Sequence, residues 1–289
     1  MASNFFFQAG KLLRQHSTSS YSTKSERFKT IRLVDKQLVE LGYRKLELKG
    51  LKPKHIDALL KKWQQDGLSP GTIKNRLAHV RWLADKIGKG GIVPRSNADL
   101  GVEQRVYVTN ENRGKELSQE QLNSIPDQHV KMSLQLQQAF GLRREEAMKI
   151  QPEKADRGDR LVLDASWCKG GRDRTISIET EQQRQILNEA KLLAVGKSLI
   201  PRDLTYVQQM KRYENTCIKI GLDRAHGLRH RYAQERYLTL TGFECAAVSG
   251  ERVKSLSDAD KAADKAARAV ITKELGHSRL QVTAVYLGS

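Results

Sequence analysis

With 289 residues, 51 Lys and Arg against 33 Asp and Glu, and a formal net charge of +18, the chain can bury one large or two modest cores and favours polyanionic partners. No apolar run approaches the roughly 20 residues needed to cross a bilayer, which excludes a membrane span. Cys168, Cys217 and Cys245 are widely spaced and form no C-x-x-C pair, which points away from zinc and disulfides and toward a reducing compartment, the cytoplasm.

Residues 1–24 include Phe5-Phe6-Phe7, Lys11, Arg14 and a Ser/Thr-rich run without acidic residues. They read as a flexible basic arm that follows a DNA backbone, with an organelle transit peptide as the alternative. Residues 25–92 are patterned as a helical DNA-binding domain. Ile31, Val34, Leu38 and Leu41 recur at helical steps before Gly42, and Pro53 opens a second helix with Ile56, Leu59, Leu60 and Trp63 on one stripe before Gly67. A third helix starts with Ser69 as N-cap and Pro70 and turns Ile73, Leu77, Val80, Leu83, Ala84 and Ile87 inward. That leaves Lys74, Arg76, Arg81 and Lys86 as candidates for DNA contact, with a merely solvated helix face as the other reading. Residues 1–100 carry a net +12 and the remainder +6, which favours DNA and predicts a steep salt dependence of binding.

Periodicity disappears over residues 93–116, which read as a linker. A second domain over 117–289 begins at Ser118, whose spacing to Gln121 suits a capping box, and stays helical from Met132 to Phe140. Leu161–Trp167 and Thr175–Ile178 are expected as strands of a hairpin turning at Lys169-Gly170-Gly171-Arg172. Helices are expected at about 180–195, 205–220, 226–240, 258–274 and 281–286. The fold class is therefore mainly α with a small β-sheet or hairpin.

The chemistry lies in dispersed side chains. Tyr286 follows His277 by nine positions near the end of the chain. A tyrosine phenol ordinarily titrates near pH 10, so a nucleophilic tyrosine needs neighbours that accept its proton and neutralise charge on the group it attacks. Arg143 and Arg229 are planar forks suited to the two non-bridging oxygens of a phosphate. His226, three residues before Arg229, shares its helix face and can accept the tyrosyl proton or hold the phosphate, and His277 can donate to a non-bridging oxygen. Lys169 at the hairpin turn is placed to protonate a departing 5′ oxygen, and Glu146, one helical step from Arg143, to hold that guanidinium. Taken singly, these residues read as surface ion pairs, structural histidines and a solubilising lysine. No carboxylate cluster for a metal accompanies them, and together they suit a phosphodiester attacked without metal or cofactor.

Gly141-Leu142-Arg143-Arg144-Glu145-Glu146, Lys169-Gly170-Gly171-Arg172-Asp173-Arg174, His226-Gly227-Leu228-Arg229-His230, Leu275-Gly276-His277-Ser278 and Tyr286 occur in this order. Together they resemble the motifs of tyrosine recombinases of the phage-integrase type, with matches over essentially all of residues 25–287. The resemblance implies a SAM-like core-binding domain and a tyrosine-recombinase catalytic domain clamping double-stranded DNA. It also implies strand exchange through a 3′-phosphotyrosine without metal or ATP, and a homo-tetramer on two DNA sites, with accessory DNA-bending or directionality factors as further partners. Arg143, Lys169, His226, Arg229, His277 and Tyr286 would be its catalytic residues, serving integration or excision of a prophage or another mobile element. A type IB topoisomerase-like nicking and closing enzyme and a catalytically idle DNA-binding regulator are the alternatives.

Three departures from the family pattern stand out. Only Leu287-Gly288-Ser289 follow the tyrosine, so docking of a tail on a neighbouring protomer is not expected. The stretch 241–273 is longer than usual, and its Asp258–Arg268 run has charges spaced for a solvated helix, a surface elaboration. The N-terminal segment also lacks the strand-rich module that many phage integrases use on accessory sites.

Overall fold

Proline and serine open the helices of the N-terminal part where the pattern places them. In the computed structural model, which describes residues 4–16 and 18–289, two units emerge, Met1–Val106 and Tyr107–Ser289. The first contains α1 (Asn4–Gln15), α2 (Tyr21–Glu40), α3 (Pro53–Gln65) and α4 (Pro70–Lys86). Pro53 and Pro70 occupy first helical positions, where their missing N–H has no intrahelical partner to lose, and the Ser69 hydroxyl accepts from Thr72 N. Ile31, Val34, Leu38, Ile56, Leu59, Trp63, Ile73, Leu77 and Leu83 form one buried cluster. Trp63 lies at its centre and satisfies its indole N–H on buried Gln37 Oε1 at 2.8 Å. Truncating such a side chain to alanine costs about 3–5 kcal/mol.

The flexible arm expected over residues 1–24 is instead helical from Asn4 to Gln15. Phe5 and Ala9 are one turn apart on the same face and enter the core, while Gln8 Oε1 accepts from Leu48 N at 3.0 Å. A phenylalanine and an alanine at that spacing give the segment an apolar face to bury, which outweighs the freedom that a cationic, serine-rich composition suggests. The first three residues of the expected arm and Ser17 lie outside the described residues.

The segment 93–116 contains no α-helix or strand, and its ends are anchored. Val93 and Val102 are buried in the first unit's cluster, whereas Lys115 N donates to Gly227 O within the second.

The second unit comprises α5 (Gln119–Asn123), α6 (Gln128–Phe140), α7 (Arg144–Lys149), α8 (Pro152–Ala155), β1 (Arg160–Leu163), β2 (Arg174–Ser177), α9 (Glu181–Ala194), α10 (Tyr206–Lys219), α11 (His226–Thr241), α12 (Ala246–Ser249), α13 (Asp258–Glu274) and α14 (Leu280–Leu287). Helices α6, α9, α11 and α13 surround a core containing Leu136, Phe140, Leu161, Leu163, Ile176, Leu187, Ala233 and Ile271. The two strands pair antiparallel, Leu161 opposite Ile176 and Leu163 opposite Arg174, so the fold class is the expected one. Side chains alternate across a strand, which puts Arg174 on the same buried face as Ile176.

Helix α13 departs from its expected solvated character. Asp264 is buried, accepting from Tyr237 Oη at 2.7 Å and Arg268 Nε at 2.7 Å, and Ala267 and Ile271 enter the core. The alternating charges conceal a face made of Asp264, Ala267, Arg268 and Ile271, at helical steps of three and four residues.

Candidate active site

Four chain segments converge to form the site around the Tyr286 hydroxyl. The first is the turn after α6, where Gly141 has φ +59° and packs so close to the Tyr232 ring that a Cβ would clash. That turn delivers Arg143 as the N-cap of α7, with its backbone N–H donating to Glu146 Oε2 at 2.6 Å and its Nη1 to Glu146 Oε1 at 2.7 Å. The second is the first turn of α11, which carries His226, Arg229 and His230. The third is the C-terminus of α13, where Gly276 at φ +61° turns the chain and brings His277 back. The fourth is α14, which carries Tyr286.

Arg229 is 1% exposed and is held on every side. Its Nη1 donates to Gly141 O, its Nη2 to Leu275 O, and its Nε to Tyr286 Oη at 3.4 Å. Leu275 caps α13, so its carbonyl lies at the negative end of that helix and also accepts from Arg143 Nη2 at 3.2 Å. One carbonyl thus sets both guanidiniums. Burial lowers the Arg229 pKa to about 10, while the Tyr286 oxygen opposes the shift, and the group stays charged at neutral pH.

The Tyr286 ring is buried, with His230 stacked on it at a centroid separation of 4.3 Å and His277 at 5.2 Å. Its hydroxyl lies 3.0 Å from His226 Nε2. Burial, reinforced by Arg229 and Arg143, lowers the His226 pKa to about 4, and the same effects bring His277 to about 3, so both imidazoles are neutral at pH 7. A neutral His226 has a lone pair available for the phenolic proton.

The structure adds Arg174, absent from the expected set. It donates through Nη1 and Nη2 to Glu146 Oε1 and Oε2 at 2.7 and 2.8 Å. Burial would raise the Glu146 pKa, but the bonds and charge of Arg174, with the charge of Arg143, outweigh it and hold the carboxyl at about 2. Glu146 is therefore an anchored anion between two arginines. The signal for Arg174 in the sequence was its strand parity with Ile176.

Lys169 is not brought into this cluster. It is exposed in the loop between β1 and β2 and makes no hydrogen bond or ion pair among the described residues, although buried Trp167 and half-buried Cys168 anchor the loop just before it. The DNA-contact candidates divide. Arg81 is half-buried, donating to Pro94 O at 2.8 Å and Asn97 Oδ1 at 2.9 Å, and Arg76 lies over the Trp63 ring at 5.4 Å. Lys86 is exposed and Lys74 half-exposed. Among the described residues no group of three or more His, Cys, Asp or Glu side chains is placed to share a metal ion, and no helix is long and apolar enough to cross a membrane.

Two family descriptions match the chain: "Phage integrase, N-terminal" over residues 8–93 and "Integrase" over residues 102–235. The two matches together cover most of the chain, which belongs to the phage-integrase family. No curated protein matches it by sequence. Among solved structures, the fold is similar to the Tn1549 transposon integrase in complex with circular intermediate DNA, with a TM-score of 0.57 at 13% identity, covering 99% of this chain and 96% of that one. It is also similar to the XerH site-specific recombinase in its post-cleavage complex with a palindromic difH substrate (TM-score 0.60, 16% identity, 97% of this chain and 80% of that one). A lambda integrase dimer bound to a COC′ core site gives 0.59 at 14% identity, over 99% and 95%.

Proposed function

We propose that this integrase-family chain is a site-specific DNA recombinase that cleaves and rejoins double-stranded DNA through Tyr286. The observation that supports it best is the Tyr286 hydroxyl, 3.0 Å from the neutral His226 Nε2 in a pocket walled by Arg229 and Arg143. Tyr286 Oη bonds to the scissile phosphorus, its proton passes to His226 Nε2, and the bond to the 5′ oxygen breaks. Lys169 supplies a proton to that oxygen, leaving a 3′-phosphotyrosine and a 5′-hydroxyl. A 5′-hydroxyl from a partner duplex reverses the steps and joins the new strand. The two guanidiniums are fixed before charge develops on the non-bridging oxygens, which is the condition for strong transition-state stabilisation.

The reading extends to a homo-tetramer on two DNA sites serving integration or excision of a mobile element. A lambda integrase tetramer bound to a Holliday junction, 14% identical, has the same fold and supports this extension. The test is a nicked suicide substrate, on which the wild-type chain forms a covalent adduct and Tyr286→Phe forms none. No wild-type adduct, or one persisting in Tyr286→Phe, overturns the assignment. Sequencing DNA trapped on the protein identifies the site. Supercoiled plasmids with and without paired sites then separate recombination from nicking and closing.

A further inference from the structure

Helix α14 brings a second polar group into the site with Tyr286. Thr283 lies three residues earlier, on the same face of the helix, and is fully buried. Its hydroxyl is 3.0 Å from His277 Nδ1 and 2.6 Å from the hydroxyl of Thr272, which is buried on α13. The other imidazole nitrogen, Nε2, faces Arg229 Nη2 at 3.4 Å.

The possible donors and acceptors restrict this chain. An arginine N–H only donates, so in this geometry His277 Nε2 accepts, and the ring proton lies on Nδ1, which donates to Thr283 Oγ1. A phosphate oxygen only accepts. His277 can serve one only as the other tautomer, with the proton on Nε2 and Nδ1 accepting from Thr283. A hydroxyl can both donate and accept, so the row reverses without losing a bond: Thr272 donates to Thr283, and Thr283 donates to Nδ1. A side chain fixed as donor or as acceptor would stabilise one tautomer alone.

We propose that Thr283, backed by Thr272, is the positioning residue that lets neutral His277 exchange tautomers and present an Nε2–H to the scissile phosphate. This inference rests on the reaction proposed above. It has a structural corollary: Thr283 and Tyr286 share one short helix, so seating the nucleophile and directing the His277 proton are a single event.

The experiment uses the full-length chain labelled with 15N-histidine, with the His277 ring resonances identified by difference from His277→Gln. In the wild type, titration with inorganic phosphate moves the ring proton from Nδ1 to Nε2. In Thr283→Val, which keeps the shape and removes the hydroxyl, that change is lost. Thr283→Val should also form adduct about tenfold more slowly or worse, a part of the roughly 10²–10⁴ that a positioned acid–base group contributes. Thr283→Ser recovers most of the rate. Should Thr283→Val fail to fold, Thr272→Val, which removes only the backing hydroxyl, reads the same two quantities. Identical tautomer behaviour in wild type and variant, or an unchanged adduct rate, overturns the proposal. Absence of wild-type adduct with the tautomer change intact would refute the recombinase reading and leave the threonine relay standing.

Discussion

Arg229 and Lys169 are both cations assigned to the same phosphate, yet one is enclosed by carbonyls and aromatic rings while the other extends from a loop into solvent. Arg229 is placed by the protein itself, through Gly141 O and Leu275 O, before any DNA arrives. Lys169 has only the anchor of Trp167 and Cys168 behind it, so the proposed reaction requires DNA to complete its position. A donor aimed beforehand needs no reorganisation during the reaction, whereas a cation on an exposed loop must first be brought within hydrogen-bond reach. Substitution at the two sites should therefore produce different combinations of defects.

The largest effect is expected at Arg229. Arg229→Ala leaves the buried Gly141 carbonyl without its donor, at a cost of about 1–3 kcal/mol, while Leu275 O keeps Arg143, and should lower the melting temperature as well as the cleavage rate. Arg229→Lys keeps a charge but loses the fork, and adduct formation should fall about 10²–10³-fold, read by single-turnover cleavage on a suicide substrate. Normal melting in Arg229→Ala would show that the carbonyl contacts do not support the fold.

Next is Lys169→Ala, which should slow cleavage about 10²-fold with no change in melting. A substrate with sulfur at the 5′ bridging position should restore the rate, because a thiolate departs without a proton. Failure of that rescue removes Lys169 from the role of general acid.

Much of this arrangement was legible in the sequence, and the gaps have identifiable causes. The helices between Ser25 and Lys86 and from Glu181 to Thr241 follow apolar periodicity, with a cap at Ser69, and Ser118 marks the start of α5, which are local signals. The tyrosine, its histidines and the two arginines are legible because each fits a chemical role. Arg174 is less legible, because a charged residue next to a turn reads as exposed, although its parity with Ile176 places it inside. Asp264 was hidden in an alternating charge run that looks solvated unless its partners Tyr237 and Arg268 are known. The composition of α1 is that of a flexible arm, and only the Phe5 to Ala9 spacing marks it as a helix. Thr283 gave no sign beyond its three-residue offset from Tyr286, since what it touches is set by how α13 and α14 meet.

The same contrast between fixed and free cations recurs within α4 and gives a smaller effect. Arg81→Ala should destabilise the chain by about 1–3 kcal/mol, because Pro94 O and Asn97 lose their donor, while barely altering the salt dependence of DNA binding. Lys86→Ala should leave melting unchanged and reduce the slope of log K against log salt by about 1 if it meets a phosphate. Fluorescence anisotropy across a salt series, paired with thermal melting, reads both. A reversed pattern would mean that Arg81 leaves Pro94 and Asn97 to bind DNA.

The smallest expected effect concerns protons in the enclosed pocket. Burial and neighbouring cations hold His226 and His230 at about 4 and His277 at about 3, below the ordinary 6.5. Between those values and 6.5 the unfolded chain binds protons that the folded chain refuses, so stability is fully present above pH 6.5 and is lost as pH falls toward 4. Glu146, held at about 2, acts in a lower window: its contribution is present above its ordinary 4.5 and disappears as pH falls through 2. His55 and His79 in the first unit are also lowered by burial, so the whole chain's slope includes them. Comparing wild type with His277→Gln isolates the pocket, and the variant should lose less melting temperature between pH 6.5 and 4. Sulfate keeps its charge over this range and favours the imidazolium form nearby, so it should raise the wild-type melting temperature more at pH 5 than at pH 7. Equal stabilisation at both values would mean that an anion does not reach these imidazoles, which would remove the electrostatic support for a phosphate beside Tyr286.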